Sequence, residues 1–281
     1  MECSDTCLVY YKYMKSVLTF LFLLMMASDL FAQTYKDHQI VFASIASGAI
    51  TPTKPFTLGI HLKMEQGWHT YWKNPGDAGL PITAEILDAP NLAAGALRFP
   101  TPHKIGTTDI VTYGYEEEVV YSLPVRLLSG TVPKHFRIKL TWLVCKEVCL
   151  PAETTLDFYL DSLTTDRVKD DQRLLDRWTA RLPQPGSGFN LDKAAATYTL
   201  QKDGSIQVFT KFFEIVSGII TDFFPDASDD FTIDLASVKV TDEGISMSMT
   251  PNKPGTALKR LSGIVMIGTS GYEVDIPASK Q

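Results

Sequence analysis

Apolar and polar residues alternate one for one in several short runs, and this pattern limits the chain more than any other feature. In Phe56-Thr57-Leu58-Gly59-Ile60-His61-Leu62 the even positions are apolar. The pattern returns in Phe136-Arg137-Ile138-Lys139-Leu140-Thr141-Trp142 and in Leu156-Asp157-Phe158-Tyr159-Leu160. A period of two places alternate side chains on opposite faces of an extended strand, so one face can be buried and the other wet. Turn clusters, Asn74-Pro75-Gly76-Asp77 and Ser129-Gly130-Thr131-Val132-Pro133, lie between the runs. Short strands at this spacing predict an all-β domain over residues 33–162, laid out as an immunoglobulin-like β-sandwich.

The texture then changes. Residues 165–181 lack Gly and Pro, are rich in helix formers, and place Val168, Leu175, Trp178 and Leu182 on one stripe. Thr164 or Thr165 is the expected N-cap. Pro183-Gln184-Pro185-Gly186-Ser187-Gly188 ends the helix, and residues 163–188 read as helix plus linker. β patterning resumes in Ser205–Phe209 and Gly244–Met249, so residues 189–281 are expected to form a second, smaller β-sandwich. In that region Phe223-Phe224-Pro225-Asp226 reads as an apolar core cluster on a turn. No tandem repeat is visible at the level of identity.

Composition narrows the function classes. A chain of 281 residues with 45% apolar and 21% charged residues is globular, and its net charge of −6 gives no electrostatic footprint for nucleic acid. Met14-Lys15, the apolar run from Val17 to Ala27 and the break ending at Ala32 follow the order of a secretory signal. The run is short for a bilayer span, although a retained anchor is the competing reading. Leu30 fits the small-x-small cleavage rule poorly, and Gln33 after the cut rules against a lipoprotein signal. Residues 1–13 then read as an upstream extension, with translation starting at Met14 and residues 14–32 removed on export. Of the four cysteines only Cys145 and Cys149 would remain in a chain expected to be soluble and exported.

On a continuous strand, residues four apart lie about 13 Å from each other. A disulfide needs Cα atoms within roughly 4.4–6.8 Å. Cys145 and Cys149 can therefore bond only if the chain turns between them, and Pro151 favours an extended or turn conformation just beyond. The pair belongs on a tight loop joining two strands. Three uses stay open on these grounds: a structural bond, a metal site with one of His61, His69, His103 or His135, and reversible thiol–disulfide exchange. Closing so small a ring gains only about 2 kcal/mol on the chain-entropy account, so it makes a poor staple. Lys146 beside Cys145 favours a thiolate and Glu147 opposes it.

Three strings decide further. Trp142–Glu153 (WLVCKEVCLPAE), Gly67–Pro81 (GWHTYWKNPGDAGLP) and Val111–Glu118 (VTYGYEEE) resemble the N-terminal periplasmic domain of the thiol:disulfide interchange protein DsbD. The branch most resembled is the one that contains suppressor of copper sensitivity protein B, ScsB. The resemblance implies that Cys145 and Cys149 are a redox pair on an immunoglobulin-like domain and need no cofactor. It implies a thioredoxin-like electron donor, oxidised periplasmic clients (cytochrome c maturation thiols among them) and a separate membrane thiol reductase, because the family's membrane and thioredoxin-like parts are not found in this chain. It also implies that Tyr113, Gly114 and Tyr115 form a short loop capping the cysteines, and that His69 and Tyr71 stand beside them. The cysteines are closer together than in the shorter DsbD branch. Copper handling and a non-catalytic interaction module remain the rival readings.

Overall fold

The computed structural model describes residues 40–281 except 107–109, 190, 192–193, 212–219 and 242–243, and of Gly188 and Phe189 only the backbone. The expected signal segment and upstream extension lie outside the described residues. The chain divides into two units, Met1–Val41 and Phe42–Gln281, and all of both β regions but their first residue, Val41, belongs to the second.

The first β region contains β1 (Val41–Ser47), β2 (Phe56–Met64), β3 (His69–Gly76), β4 (Thr83–Leu87) and β5 (Leu92–Ala94). It continues with β6 (His103–Gly106), β7 (Val111–Glu116), β8 (Glu118–Leu127), β9 (His135–Cys145) and β10 (Cys149–Tyr159). One sheet runs β1-β2-β8-β5, and the other β10-β9-β3-β7-β6 with β4 also on β9. The alternation read from sequence is the alternation of burial. Leu58, Ile60 and Leu62 of β2, and Phe136, Ile138 and Leu140 of β9, are fully buried. They meet Trp72, Tyr113, Tyr115 and Tyr121 in a core rich in aromatic rings, packed edge to face. This is a two-sheet immunoglobulin-like sandwich.

Helix α1 (Thr165–Thr179) starts as the sequence requires, with Thr164 as N-cap accepting a hydrogen bond from the Arg167 amide. It buries Leu175 and Trp178, each worth roughly 1.5–3 kcal/mol of transfer free energy. Leu175 packs over Gly59 and Val120, on the outer face of the first sheet.

After the helix come β11 (Gln184–Pro185), β12 (Ala195–Leu200), β13 (Ile206–Lys211), β14 (Ile220–Pro225) and β15 (Phe231–Thr241). β16 (Gly244–Pro251), β17 (Arg260–Ile267) and β18 (Ser270–Lys280) complete the chain. These strands form one sheet ordered β14-β17-β18-β12-β13-β16-β15, with β11 added on β18. β18 pairs antiparallel with β17 along most of its length and parallel with β12 through its last residues, so it joins the two halves of the sheet around a second core of Val208, Phe223, Met247, Val265 and Ile276. The segment expected as a linker is bonded into the fold, because Gln184 and Pro185 pair with Tyr272 and Glu273.

Candidate redox site

β9 ends at Cys145 and β10 begins at Cys149, so Lys146-Glu147-Val148 is the loop of a β-hairpin. Cys145 and Cys149 are directly opposite in register, their Cα atoms are 4.1 Å apart, and they form a disulfide. So close an approach is that of a non-hydrogen-bonded antiparallel pair, whose side chains lie nearest each other. The two sulfurs differ in access. Cys145 is 2% exposed, whereas Cys149 stands on the exposed hairpin.

The register continues across the sheet. Cys145 faces His69 on β3, and His69 faces Glu116 on β7. Cys149, Cys145, His69 and Glu116 therefore make one transverse row on one face of the sheet, with neighbouring Cβ atoms about 5 Å apart. Tyr71, two residues along β3, shares that face. Its hydroxyl donates to Cys145 Sγ at 2.6 Å and lies 3.6 Å from Cys149 Sγ. The rings of His69 and Tyr71 meet edge to face at 5.4 Å. Burial pushes the Tyr71 phenol up, keeping it a donor. Burial also lowers His69, and the carboxylate of Glu116 opposes that shift.

Tyr71 is on the outer face of the sheet yet only 2% exposed, because the chain folds back over it. Gly79, at φ +116°, lies flat on the Tyr71 ring, and a Cβ there would collide with the ring edge. Asp77 fastens this segment: its amide donates to the Val111 carbonyl at 2.9 Å, and its carboxylate accepts from the Val111 amide at 2.8 Å. Leu80 then projects into solvent, 64% exposed, and Val148 between the cysteines is 44% exposed. On the other flank, the Lys146 side chain lies over Gly67 and its ammonium reaches the Gln66 carbonyl at 3.4 Å.

Of the residues expected at the site, His69 and Tyr71 stand beside the cysteines. Tyr113, Gly114 and Tyr115 do not form a loop over them. They lie within strand β7, where Gly114 pairs with Tyr71 and Tyr115 with Thr70. Strand alternation turns the rings of Tyr113 and Tyr115 to the opposite face, into the core. There the Tyr115 hydroxyl donates to the Pro100 carbonyl and Tyr113 packs on Trp72. Gly114 is on the disulfide face, where a Cβ would run into the Thr70 carbonyl oxygen. The cover over Tyr71 comes from residues 76–80, and Glu116 joins the row. Sequence reasoning missed both, although the Gly76-Asp77-Ala78-Gly79 run carried a signal for special backbone geometry. Among the described residues, no three metal-ligating side chains converge, and no helix is long and apolar enough to cross a membrane.

A disulfide across a hairpin of an immunoglobulin-like β-sandwich, with one sulfur exposed and the other buried under a tyrosine hydroxyl, has the access that thiol–disulfide exchange needs. Residues 38–161, a little under half of the chain, match the family model described as thiol:disulfide interchange protein DsbD, N-terminal. Over 88% of this chain and 96% of the other, the fold is similar to that of the N-terminal periplasmic domain of ScsB from Proteus mirabilis, with TM-score 0.67 and 15% identity. The reduced N-terminal domain of DsbD from Neisseria meningitidis aligns over 42% of this chain and 84% of its own, with TM-score 0.30 and 18% identity. None of the curated proteins matches the chain significantly.

Proposed function

We propose that this protein is a periplasmic electron relay that carries reducing equivalents through Cys145 and Cys149 from a thioredoxin-like donor to oxidised exported clients. The observation that supports it most is the asymmetry of the pair: an exposed Cys149, and a buried Cys145 whose sulfur accepts a hydrogen bond from Tyr71.

The asymmetry assigns the steps. A donor thiolate attacks Cys149 Sγ, the sulfur within reach, and the bond to Cys145 breaks. Cys145 departs as a thiolate under the Tyr71 hydroxyl, which lowers the cost of that charge. The donor's second thiolate then attacks the mixed disulfide, leaving the donor oxidised and Cys149 as a thiolate. Two electrons have moved, and the two sulfurs take up protons from solvent. In the second half the Cys149 thiolate attacks a client disulfide and Cys145 resolves the complex, restoring the Cys145–Cys149 bond. Burial of Cys145 limits its oxidation while it waits. No step requires a cofactor.

Exported localisation rests on the signal-like segment from Met14 to Ala32 and on the periplasmic relative of the same fold. Thiol trapping of the protein in living cells, with and without a membrane thiol reductase, tests the relay. A dithiol fraction that disappears without the reductase is expected; a pair oxidised alike in both strains contradicts it.

A further inference from the structure

The second β region has no cysteine, and its place in the function is readable from what β14 touches. Phe224 of β14 is buried against aromatic rings of the first sandwich. Its ring lies 5.2 Å from that of Tyr113 and 6.4 Å from that of Trp72, edge to face in both cases. The next residue accepts a hydrogen bond at its carbonyl: Asn74 Nδ2 donates to Pro225 O at 2.8 Å. Asp226 pairs with Lys73 at 2.8 Å, and Asp222 with Lys104 at 2.6 Å. The Lys104 ammonium also lies over the Phe224 ring, 6.0 Å from its centre.

Three of these partners, Trp72, Lys73 and Asn74, are the residues of β3 that directly follow Tyr71. Asn74 works in two directions, because its Oδ1 accepts from the Gly76 amide at 3.1 Å as its Nδ2 donates to Pro225. Gly76 leads into the segment whose Gly79 lies on the Tyr71 ring. The two exposed ion pairs add little on their own. The buried amide bond and the aromatic wedge are specific and desolvated, and they set where β3 lies.

We infer that residues 222–226 are a positioning element for the redox centre: Phe224 and the Pro225 carbonyl hold β3 and the following segment so that the Tyr71 hydroxyl stays on Cys145 Sγ. Phe224 and Asn74 act through Tyr71. The second β region is then a fixed buttress for the sulfur pair. This inference rests on the exchange chemistry proposed for Cys145 and Cys149, and it can fail while that chemistry stands.

The test is a mutant cycle on the full chain, read as the rate at which dithiothreitol reduces the Cys145–Cys149 bond and as the position of its equilibrium with glutathione. Tyr71→Phe is expected to slow reduction about tenfold, the worth of one hydrogen bond to a developing thiolate. Phe224→Ala and Asn74→Ala are each expected to slow it by about threefold or more, and Phe224→Tyr to restore the rate. Because they act through Tyr71, each combined with Tyr71→Phe should be no slower than Tyr71→Phe alone. Variants that lower the melting temperature but keep the wild-type rate would overturn the inference, as would effects that multiply with Tyr71→Phe or a Tyr71→Phe rate equal to wild type. If Phe224→Ala does not fold, Asn74→Ala decides, and a wild-type rate there overturns the inference. Reduction by a small dithiol reads the site itself, so a protein that reacts normally here but is never reduced in cells fails as a relay, not as a buttressed site.

Discussion

The Tyr71 hydroxyl donates to Cys145 Sγ at 2.6 Å from a ring that is 98% buried, and it is farther from Cys149 Sγ, at 3.6 Å. A donor fixed in a desolvated site favours negative charge on the sulfur it touches. In reduced protein, Tyr71→Phe should therefore raise the apparent pKa of the Cys145 thiol. Thiolate absorbance near 240 nm, followed against pH, measures it. A rise of about one unit, worth roughly 1.4 kcal/mol, is expected.

The two thiols should also differ in reach. In reduced protein Cys149 is expected to be alkylated by iodoacetamide at least about tenfold faster than Cys145, because only Cys149 stands on the exposed hairpin. Cys145→Ala should accumulate mixed disulfides through Cys149, and Cys149→Ala should not. Mass spectrometry of the trapped complexes reads the outcome directly.

Gly79 couples the covering segment to the site. Any side chain there meets two penalties, a φ of +116° and a collision with the Tyr71 ring. Gly79→Val should cost about 2–4 kcal/mol in urea unfolding and leave Cys145 more reactive. Gly130, at φ +68° with open space around it, should cost less for the same substitution.

Much of this was written in the sequence. Strand alternation gave the buried faces of β2 and β9, and Pro151 with the lapse of alternation marked the hairpin that carries the cysteines. The helix cap at Thr164 was legible because an N-cap is local chemistry. The orientation of Tyr113 and Tyr115 was not, since a period-two pattern groups residues by face without saying which face a neighbour covers. Nor was the wedge of Phe224, which meets its partners across more than a hundred residues of chain; Asn74 and Pro225 are 151 apart. The acidic end of the row was hidden for the same reason, because Glu116 joins Cys145 only through strand pairing.

His69 should leave a mark on stability against pH. Burial lowers its folded-state pKa, so the folded protein binds fewer protons than the unfolded chain in the window between the two values. Its contribution is complete above the ordinary histidine value, about 6.5, and is lost as pH falls through the lower folded value. The groups facing the ring are Cys145 from β9, Glu116 from β7 and Tyr71 on its own strand. His69→Gln should flatten the fall in urea stability between pH 7.5 and 5, leaving the part due to His61, which burial also lowers. An unchanged slope would show that His69 ionises as freely folded as unfolded.

The bond itself should matter more for exchange than for holding the fold. Five residues close the ring, so Cys145→Ala/Cys149→Ala should lose about 2 kcal/mol or less and remain folded. A loss well beyond that in urea unfolding would mark the disulfide as a staple.

The most direct measurement equilibrates the purified protein with a thioredoxin-like protein poised near about −270 mV and follows the Cys145–Cys149 pair by thiol alkylation and mass. The expected result is a reversible mixture of dithiol and disulfide that reaches the same ratio from either side, with the transient complex joined through Cys149. A pair that stays oxidised throughout, with no complex formed, would contradict exchange and leave a structural bond.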